Sequence, residues 1–286
     1  MICLAISFLK RLFNEKKIAA EEFARVNRID KIGFPKINSK IGLIAAGKNW
    51  LDLIHAFSLL GIDARDAEEL GITSYKIVQT WPIDRQSLLE WSDQLDLIIV
   101  VEEKRKIIET QVKDTLFSVG SKTRVYGGDK NNERLFSDYG VLDPLDIASA
   151  IGQIFQEEGC SNTKLTSGLK KIKEARSADN APDLAERLPY FCAGCPHNSS
   201  TVVPEGSRAY AGIGCHYMAQ WMDRETLGFT HMGGEGANWI GESLFSKRKH
   251  VFQNIGDGTY NHSGIQAIRA AVAAKTDITY KILFND

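Results

Sequence analysis

The stretch His250-Val251-Phe252-Gln253-Asn254-Ile255-Gly256-Asp257-Gly258-Thr259-Tyr260 and its sequel Ile278-Thr279-Tyr280-Lys281-Ile282-Leu283-Phe284-Asn285 read together as strand, glycine turn, helix and strand. The run between them is amphipathic up to Lys275, and it carries Ile265, Ile268 and Val272 on one stripe that is expected to face a sheet. A right-handed crossover of this kind sets its two strands parallel, so the ends that carry Asp257 and Asn285 come close in space. Ligands of open parallel sheets bind outside the carboxyl ends of the strands. Gly256 and Gly258 let the backbone turn sharply and approach a ligand with no Cβ in the way. A helix starting near Tyr260 offers free N–H groups and a positive dipole end to a phosphate. Asp257 adds a hard carboxylate oxygen and Asn285 an amide oxygen, which suits a magnesium ion that takes its other ligands from phosphates and water. Gly-Asp-Gly alone is also a common loop turn. The strand before it, the helix after it and the terminal Asn set this instance apart, and the Gly-x-Gly-x-x-Gly spacing of dinucleotide sites is absent.

Upstream, short apolar runs alternate with helical spacing. Ile41 to Gly47, Ser74 to Val78, Leu97 to Glu103 and a segment near Arg124 to Tyr126 read as strands. Leu51 to Leu60, Asp84 to Trp91, Lys104 to Phe117 and Pro144 to Phe155 read as helices. The alternation predicts an α/β fold with parallel sheets covered on both faces. Its expected organisation is a helical lead-in and linker over 1–38, an α/β unit over 39–157, a polar linker over 158–187 and a second unit over 188–286.

A chain of 286 residues has room for two units and a sizeable core. It is 43% hydrophobic and 25% charged with a formal charge of -1, which gives no footprint for nucleic acid. The mixed run Glu102-Glu103-Lys104-Arg105-Lys106 reads as a solvated helix start. The apolar N-terminus, Met1 to Leu9, is too short to cross a membrane, lacks a basic residue ahead of it, and has no small-residue cleavage site after it. Five cysteines, odd in number and partly clustered, fit a reducing cytoplasm better than a disulfide framework.

Cys192-x-x-Cys195 followed by Cys215 has metal-ligand spacing that suits zinc or an iron–sulfur cluster, with His197, His216 or Cys160 available as a fourth ligand. The same three thiols are equally readable as metal-free. His216 and His231 stand in or beside glycine-rich stretches, as contacts to a substrate or as structural histidines. Glu235 in Gly233-Gly234-Glu235-Gly236 is either a cofactor-loop carboxylate or a surface residue, and Asn238 either bonds a ligand or caps a helix.

Gly256-Asp257-Gly258 with Asn285 resembles the thiamine diphosphate motif. The resemblance extends through Pro189-Tyr190-Phe191-Cys192-Ala193-Gly194-Cys195-Pro196-His197-Asn198, Gly212-Ile213-Gly214-Cys215-His216-Tyr217-Met218 and Met232-Gly233-Gly234-Glu235-Gly236-Ala237-Asn238-Trp239-Ile240-Gly241. Together with Ala46-Gly47-Lys48, Trp81-Pro82 and Val100 to Arg105, these resemble the indolepyruvate ferredoxin oxidoreductase family in its long fused bacterial form. The resemblance implies a transketolase C-terminal-like domain followed by a thiamine diphosphate-binding domain. It implies thiamine diphosphate and Mg2+ held by Gly214, Cys215, Gly234, Gly256, Asp257, Gly258, Thr259 and Asn285, with Asp257 and Asn285 on the metal. It puts His216 and Glu235 in catalytic roles and allows a [4Fe-4S] cluster on Cys192, Cys195 and Cys215. The implied reaction is oxidative decarboxylation of an aryl 2-oxoacid such as indolepyruvate. Coenzyme A accepts the acyl group, ferredoxin takes the electrons, and a pyrimidine-binding domain of the same homo-oligomeric enzyme supplies the activating glutamate. Because the family's next magnesium ligand follows two residues after the Asn, the segment is expected to be an internal fragment, inactive alone and weak in cofactor binding. The alternatives are another thiamine-dependent decarboxylase, a non-catalytic module that keeps the fold, and a zinc-bound structural unit.

Overall fold

Leu97-Ile98-Ile99-Val100-Val101 is apolar at every position, so a strand built from it must be covered on both faces. The computed structural model, which describes residues 9–179 and 188–284, does this in the first of two units, Met1–Ala181 and Pro182–Asp286. The first unit runs α1 (Lys17–Val26), β1 (Lys31–Ile32), β2 (Ile41–Ala46), α2 (Gly47–Leu60), α3 (Ala64–Glu69), β3 (Ile72–Ile77), α4 (Arg85–Ser92) and β4 (Leu97–Val101). It continues through α5 (Ile107–Ser118), β5 (Arg124–Tyr126), a hairpin β6 (Asp129–Lys130) and β7 (Glu133–Arg134), α6 (Pro144–Glu157) and α7 (Thr163–Asp179). The sheet order is β1-β3-β2-β4-β5, parallel except for β1. Leu97, Ile99 and Val101 pack with Phe57 and Leu60 of α2 and with Ile147 and Ile151 of α6. Ile98 and Val100, one residue out of phase, pack with Leu88 and Trp91 of α4 and with Val112 of α5.

Three segments differ from the sequence-based expectation. The lead-in contributes β1, which pairs antiparallel with β3 through Lys31 and Lys76. The helix expected from Lys104 begins at Ile107. Lys104 is left-handed (φ 65°), and the Glu102 carboxylate accepts the N–H groups of Ile108 and Glu109, so Glu102 caps the helix rather than opening it. Most of the polar linker expected over 158–187 is the helix α7. Its Leu165 and Ile172 are buried in the core, and its Lys164 pairs with Asp66 at 2.8 Å. A narrow stripe, Leu165, Gly168 and Ile172, does the packing, while the Lys, Ser and Glu residues that set the composition face water.

The second unit contains α8 (His197–Ser200), β8 (Ala209–Ala211), a 3₁₀ turn (Cys215–Trp221), β9 (Thr226–Phe229), α9 (Ala237–Glu242) and β10 (Val251–Gly256). It ends with α10 (Asp257–Thr259), a π turn (Tyr260–Gly264), α11 (Ile265–Ala273) and β11 (Ile278–Leu283). The sheet order is β11-β10-β8-β9, with every pair parallel. The crossover therefore forms as read, with Val251 opposite Ile278 and Gly256 opposite Leu283. The helix is turned from the expectation, with only Ile268 of the three expected positions half-buried. Gly264, Ala267 and Ala271 are its buried positions, whereas Ile265 and Val272 are exposed. A Cβ on Gly264 would stand 2.4 Å from Ile255 Cδ1, so the helix approaches β10 too closely for larger side chains. Among the described residues, no helix is long and apolar enough to cross a membrane.

Gly168→Ala tests the packing of α7. In a loose helix the change gains up to about 1 kcal/mol of helix propensity. Here the new Cβ would sit 2.5 Å from the Leu60 carbonyl oxygen, so the expected result is a net loss of about 1–3 kcal/mol in urea unfolding. A stabilised variant would place α7 off the core.

Candidate functional site

β8 and β10 are neighbours whose onward connections leave in opposite directions, β8 to β9 and β10 to β11. A reversal of this kind opens a crevice at the carboxyl ends of the two strands. A cleft of about 180 Å³ lies there. Gly214, Cys215 and His216 line it from the loop after β8, Gly256 to Thr259 from the turn after β10, and His197 and Met232 from the flanks. Four clefts in the first unit are larger, at about 500, 450, 430 and 340 Å³. Among the described residues, however, every buried side-chain polar atom without a hydrogen-bond partner belongs to the second unit. These orphans include His197 Nδ1, His216 Nε2, Glu235 Oε1, both amide atoms of Asn254, and Ser263 Oγ. Each costs about 1–3 kcal/mol when left unmet, so the two orphaned imidazoles that line the smaller cleft, His197 and His216, count for more than volume.

The glycines of the turn are informative because the fold does not need them. Neither Gly256 nor Gly258 has a positive φ. A Cβ on Gly258 would meet nothing within 4 Å, and one on Gly256 would make only ordinary contacts, the nearest at 3.7 Å. The space they leave opens on the cleft. The helix begins at Asp257, three residues earlier than expected, and breaks into a π turn one residue after Thr259. Asp257 is half-buried, and its Oδ1 accepts the Gly258 N–H at 2.8 Å. Thr259 is buried beside it. Asn285, expected as the second metal ligand, lies outside the described residues.

His216 is 2% exposed and seated against glycines. Cβ atoms on Gly212 and Gly214 would stand 3.0 Å from its Nε2 and 2.8 Å from its Cε1. Burial, and then the neighbouring His197 imidazole, pushes its pKa down to about 4. Glu235 is fully buried behind the cleft rather than in its wall. Its Oε2 accepts the Gly233 N–H at 2.7 Å, and its backbone carbonyl accepts the Tyr280 hydroxyl at 3.1 Å. Gly234 is likewise off the cleft, with the His231 ring packed where its Cβ would be. Asn238 stands inside α9, whose cap position is Gly236, so it is not the cap.

The cysteines do not converge. Cys192 and Cys215 are exposed and Cys195 half-buried. Among the described residues, no three His, Cys, Asp or Glu side chains are placed to hold a metal ion. The three-thiolate set read from the spacing is therefore not assembled here; Cys192 and Cys195 close a tight turn through a 3.0 Å backbone hydrogen bond. His197, weighed in the sequence only as a fourth ligand, instead lines the cleft, against Phe191. Asn254 and Ser263 went unnoticed. Asn254, with Gln253 before it, interrupts an apolar strand pattern and so signals a buried polar position.

Comparison with known proteins places these features in context. Residues 31–179 match the family model described as the indolepyruvate oxidoreductase domain, and residues 212–286 match the thiamine pyrophosphate enzyme C-terminal TPP binding domain. The indolepyruvate oxidoreductase subunit IorA of Methanothermobacter marburgensis is 24% identical over 97% of this chain and 42% of its own length. The subunit of the same name from Thermococcus kodakarensis is 22% identical over 87% of this chain and 39% of its own length. The chain thus spans about two fifths of the length of these curated relatives. A solved 2-oxoglutarate:ferredoxin oxidoreductase from Magnetococcus marinus, with 2-oxoglutarate, coenzyme A and succinyl-CoA bound, superposes with a TM-score of 0.32 at 15% identity, covering 50% of this chain and 23% of that one.

The buried imidazole predicts an acid-side weakness. The unfolded chain protonates His216 near its ordinary 6.5, whereas the folded chain does so only near 4. The unfolded state therefore binds more protons between those values, and stability falls as pH drops through the window, by about 1–2 kcal/mol at pH 5. In denaturant unfolding at pH 7 and pH 5, His216→Gln should lose less stability than the unsubstituted chain. Equal losses would contradict the assignment.

Proposed function

This chain belongs to the indolepyruvate oxidoreductase domain family, and on that premise we propose that its second unit is the diphosphate- and magnesium-binding part of a thiamine diphosphate-dependent 2-oxoacid oxidoreductase. The proposed reaction is oxidative decarboxylation of an aryl 2-oxoacid, indolepyruvate in the first instance, with coenzyme A as acyl acceptor and ferredoxin as electron acceptor. A pyrimidine-binding domain, in the same enzyme, completes the site. The observation that carries this reading is the pair of glycines at the β10 turn, which the fold does not require and whose missing Cβ atoms leave room on the cleft side.

The residues divide the work by chemistry. Gly256 and Gly258 admit the diphosphate to the backbone, where the first N–H groups of the helical run from Asp257 face it. Asp257 keeps one carboxylate oxygen on the Gly258 N–H and has the other for magnesium, with Asn285 proposed as its companion ligand. Gly214 and Cys215 form the opposite lip of the cleft, and His216 makes a polar contact with its occupant. When bound, thiamine diphosphate supplies a cationic ring that takes up the electron pair left as carbon dioxide departs. The protein's part is to orient the group and exclude water. The cysteine geometry does not fit an iron–sulfur cluster, and no step is assigned to one.

Calorimetric titration with magnesium and thiamine diphosphate tests this. Gly258→Ala fills only open space, so its thermal midpoint should match or slightly exceed that of the unsubstituted chain while its affinity falls at least about tenfold. Asp257→Ala should weaken the magnesium-dependent component by about 10–100-fold. Unchanged affinity in both variants would remove the diphosphate anchor from this turn.

A further inference from the structure

Glu235 and His216 are two of the most deeply buried polar side chains of the second unit, and each carries one atom without a partner among the described residues. The two orphans both border the place that a Cβ on Gly212 would take. A Cβ on Gly212 would stand 3.0 Å from Glu235 Oε1 and 3.0 Å from His216 Nε2. The other orphans of this region are His197 Nδ1, whose ring neighbours His216, and the amide of Asn254, and neither has a place beside Gly212 among that position's nearest atoms. Glu235 Oε2 is occupied by the Gly233 N–H, and the Tyr280 hydroxyl is spent on the Glu235 carbonyl oxygen. Ser263 Oγ, also an orphan, borders Gly233 rather than Gly212. The other ring nitrogen, Nδ1, lies with Cε1 against Gly214, and Cε1 also approaches Gly256, and both glycines line the cleft.

A carboxylate can only accept hydrogen bonds, whereas a neutral imidazole has one donor and one acceptor, and the bond made by one nitrogen fixes the role of the other. We infer that Glu235 is a positioning residue. After a side-chain rotation that closes the gap between them, its Oε1 accepts the proton carried on His216 Nε2 and so leaves Nδ1 as a bare acceptor toward the cleft. The consequence is selective. A cleft-facing acceptor pairs with an N–H or O–H donor of the bound molecule, so the diphosphate oxygens fall to the backbone N–H groups of the β10 turn and not to His216. The tautomer stands on the geometry alone, while the identity of the occupant rests on the function proposed above.

The test is a long-range proton–nitrogen correlation spectrum of the full chain labelled with ¹⁵N-histidine at pH 7 and without added cofactor, His216→Gln serving to assign the signal. The expected pattern for His216 is the Nε2–H tautomer. In Glu235→Gln the Gly233 N–H holds the amide oxygen, so the new –NH2 faces His216 and donates to Nε2. The tautomer should then switch to Nδ1–H. An Nδ1–H tautomer or an averaged mixture in the unsubstituted chain would overturn the inference, even if Glu235→Gln fails to fold. The same tautomer persisting in a folded Glu235→Gln would overturn it as well. None of these outcomes depends on cofactor binding, so a failed diphosphate anchor and a failed dyad are read separately.

Discussion

The geometry of the site depends on one close approach, that of the Asp257–Ala273 helical run onto β10. Gly264 lies so near Ile255 that a methyl group would overlap it, and Ala267 and Ala271 are the buried positions of the helix that follows. A helix held this close has little freedom to rock, so its first turn is fixed relative to the end of the strand it follows. The parallel pairing of β10 with β11, from Val251–Ile278 to Gly256–Leu283, fixes the other side. Asp257 and its glycines thus stand on a rigid corner. The reversal of connections between β8 and β10 then sets Gly214 to His216 opposite that corner.

The same corner separates what a sequence reveals from what it conceals. The order of strand, turn, helix and strand was legible because apolar runs and glycines mark element ends whatever they pack against. The buried face of the helix was not. Hydrophobic periodicity favours Ile265, Ile268 and Val272, but close packing selects the smallest residues, and small residues carry no hydrophobic signal. α7 failed to announce itself for a related reason: its contact stripe is narrow and includes Gly168, so the average polarity of the segment hides it. The cysteine spacing was legible as a pattern but not as a place. Cys192-x-x-Cys195 sits in one turn and Cys215 after β8, and spacing cannot show whether separate loops converge.

The two units also differ in how their energy is distributed. The first buries two apolar layers on its sheet, and none of its described residues leaves a buried side-chain polar atom unpaired. The second has a core centred on Tyr210, Trp239 and Val251 and holds all the orphans. Trp239 is satisfied through the Asp277 carbonyl at 2.9 Å, and Tyr210 through Glu242. The unpaired groups include those beside the cleft, such as His216 and His197, and those one layer behind it, Glu235 and Ser263.

That distribution has a thermodynamic reading. A buried donor or acceptor left unmet lowers the stability of the empty fold, and a ligand or water that satisfies it returns that free energy as binding. Placing the deficit in the unit with the smaller core makes that unit more responsive to occupancy than the first. The glycine seat of His216 follows the same logic. Gly212 and Gly214 weaken the chain's local preference for structure, but they let an imidazole reach the cleft from one side and a buried carboxylate from the other. A residue with a Cβ at Gly212 would separate Glu235 from His216 while leaving the sheet intact, so the glycine serves the arrangement of the site and not the fold.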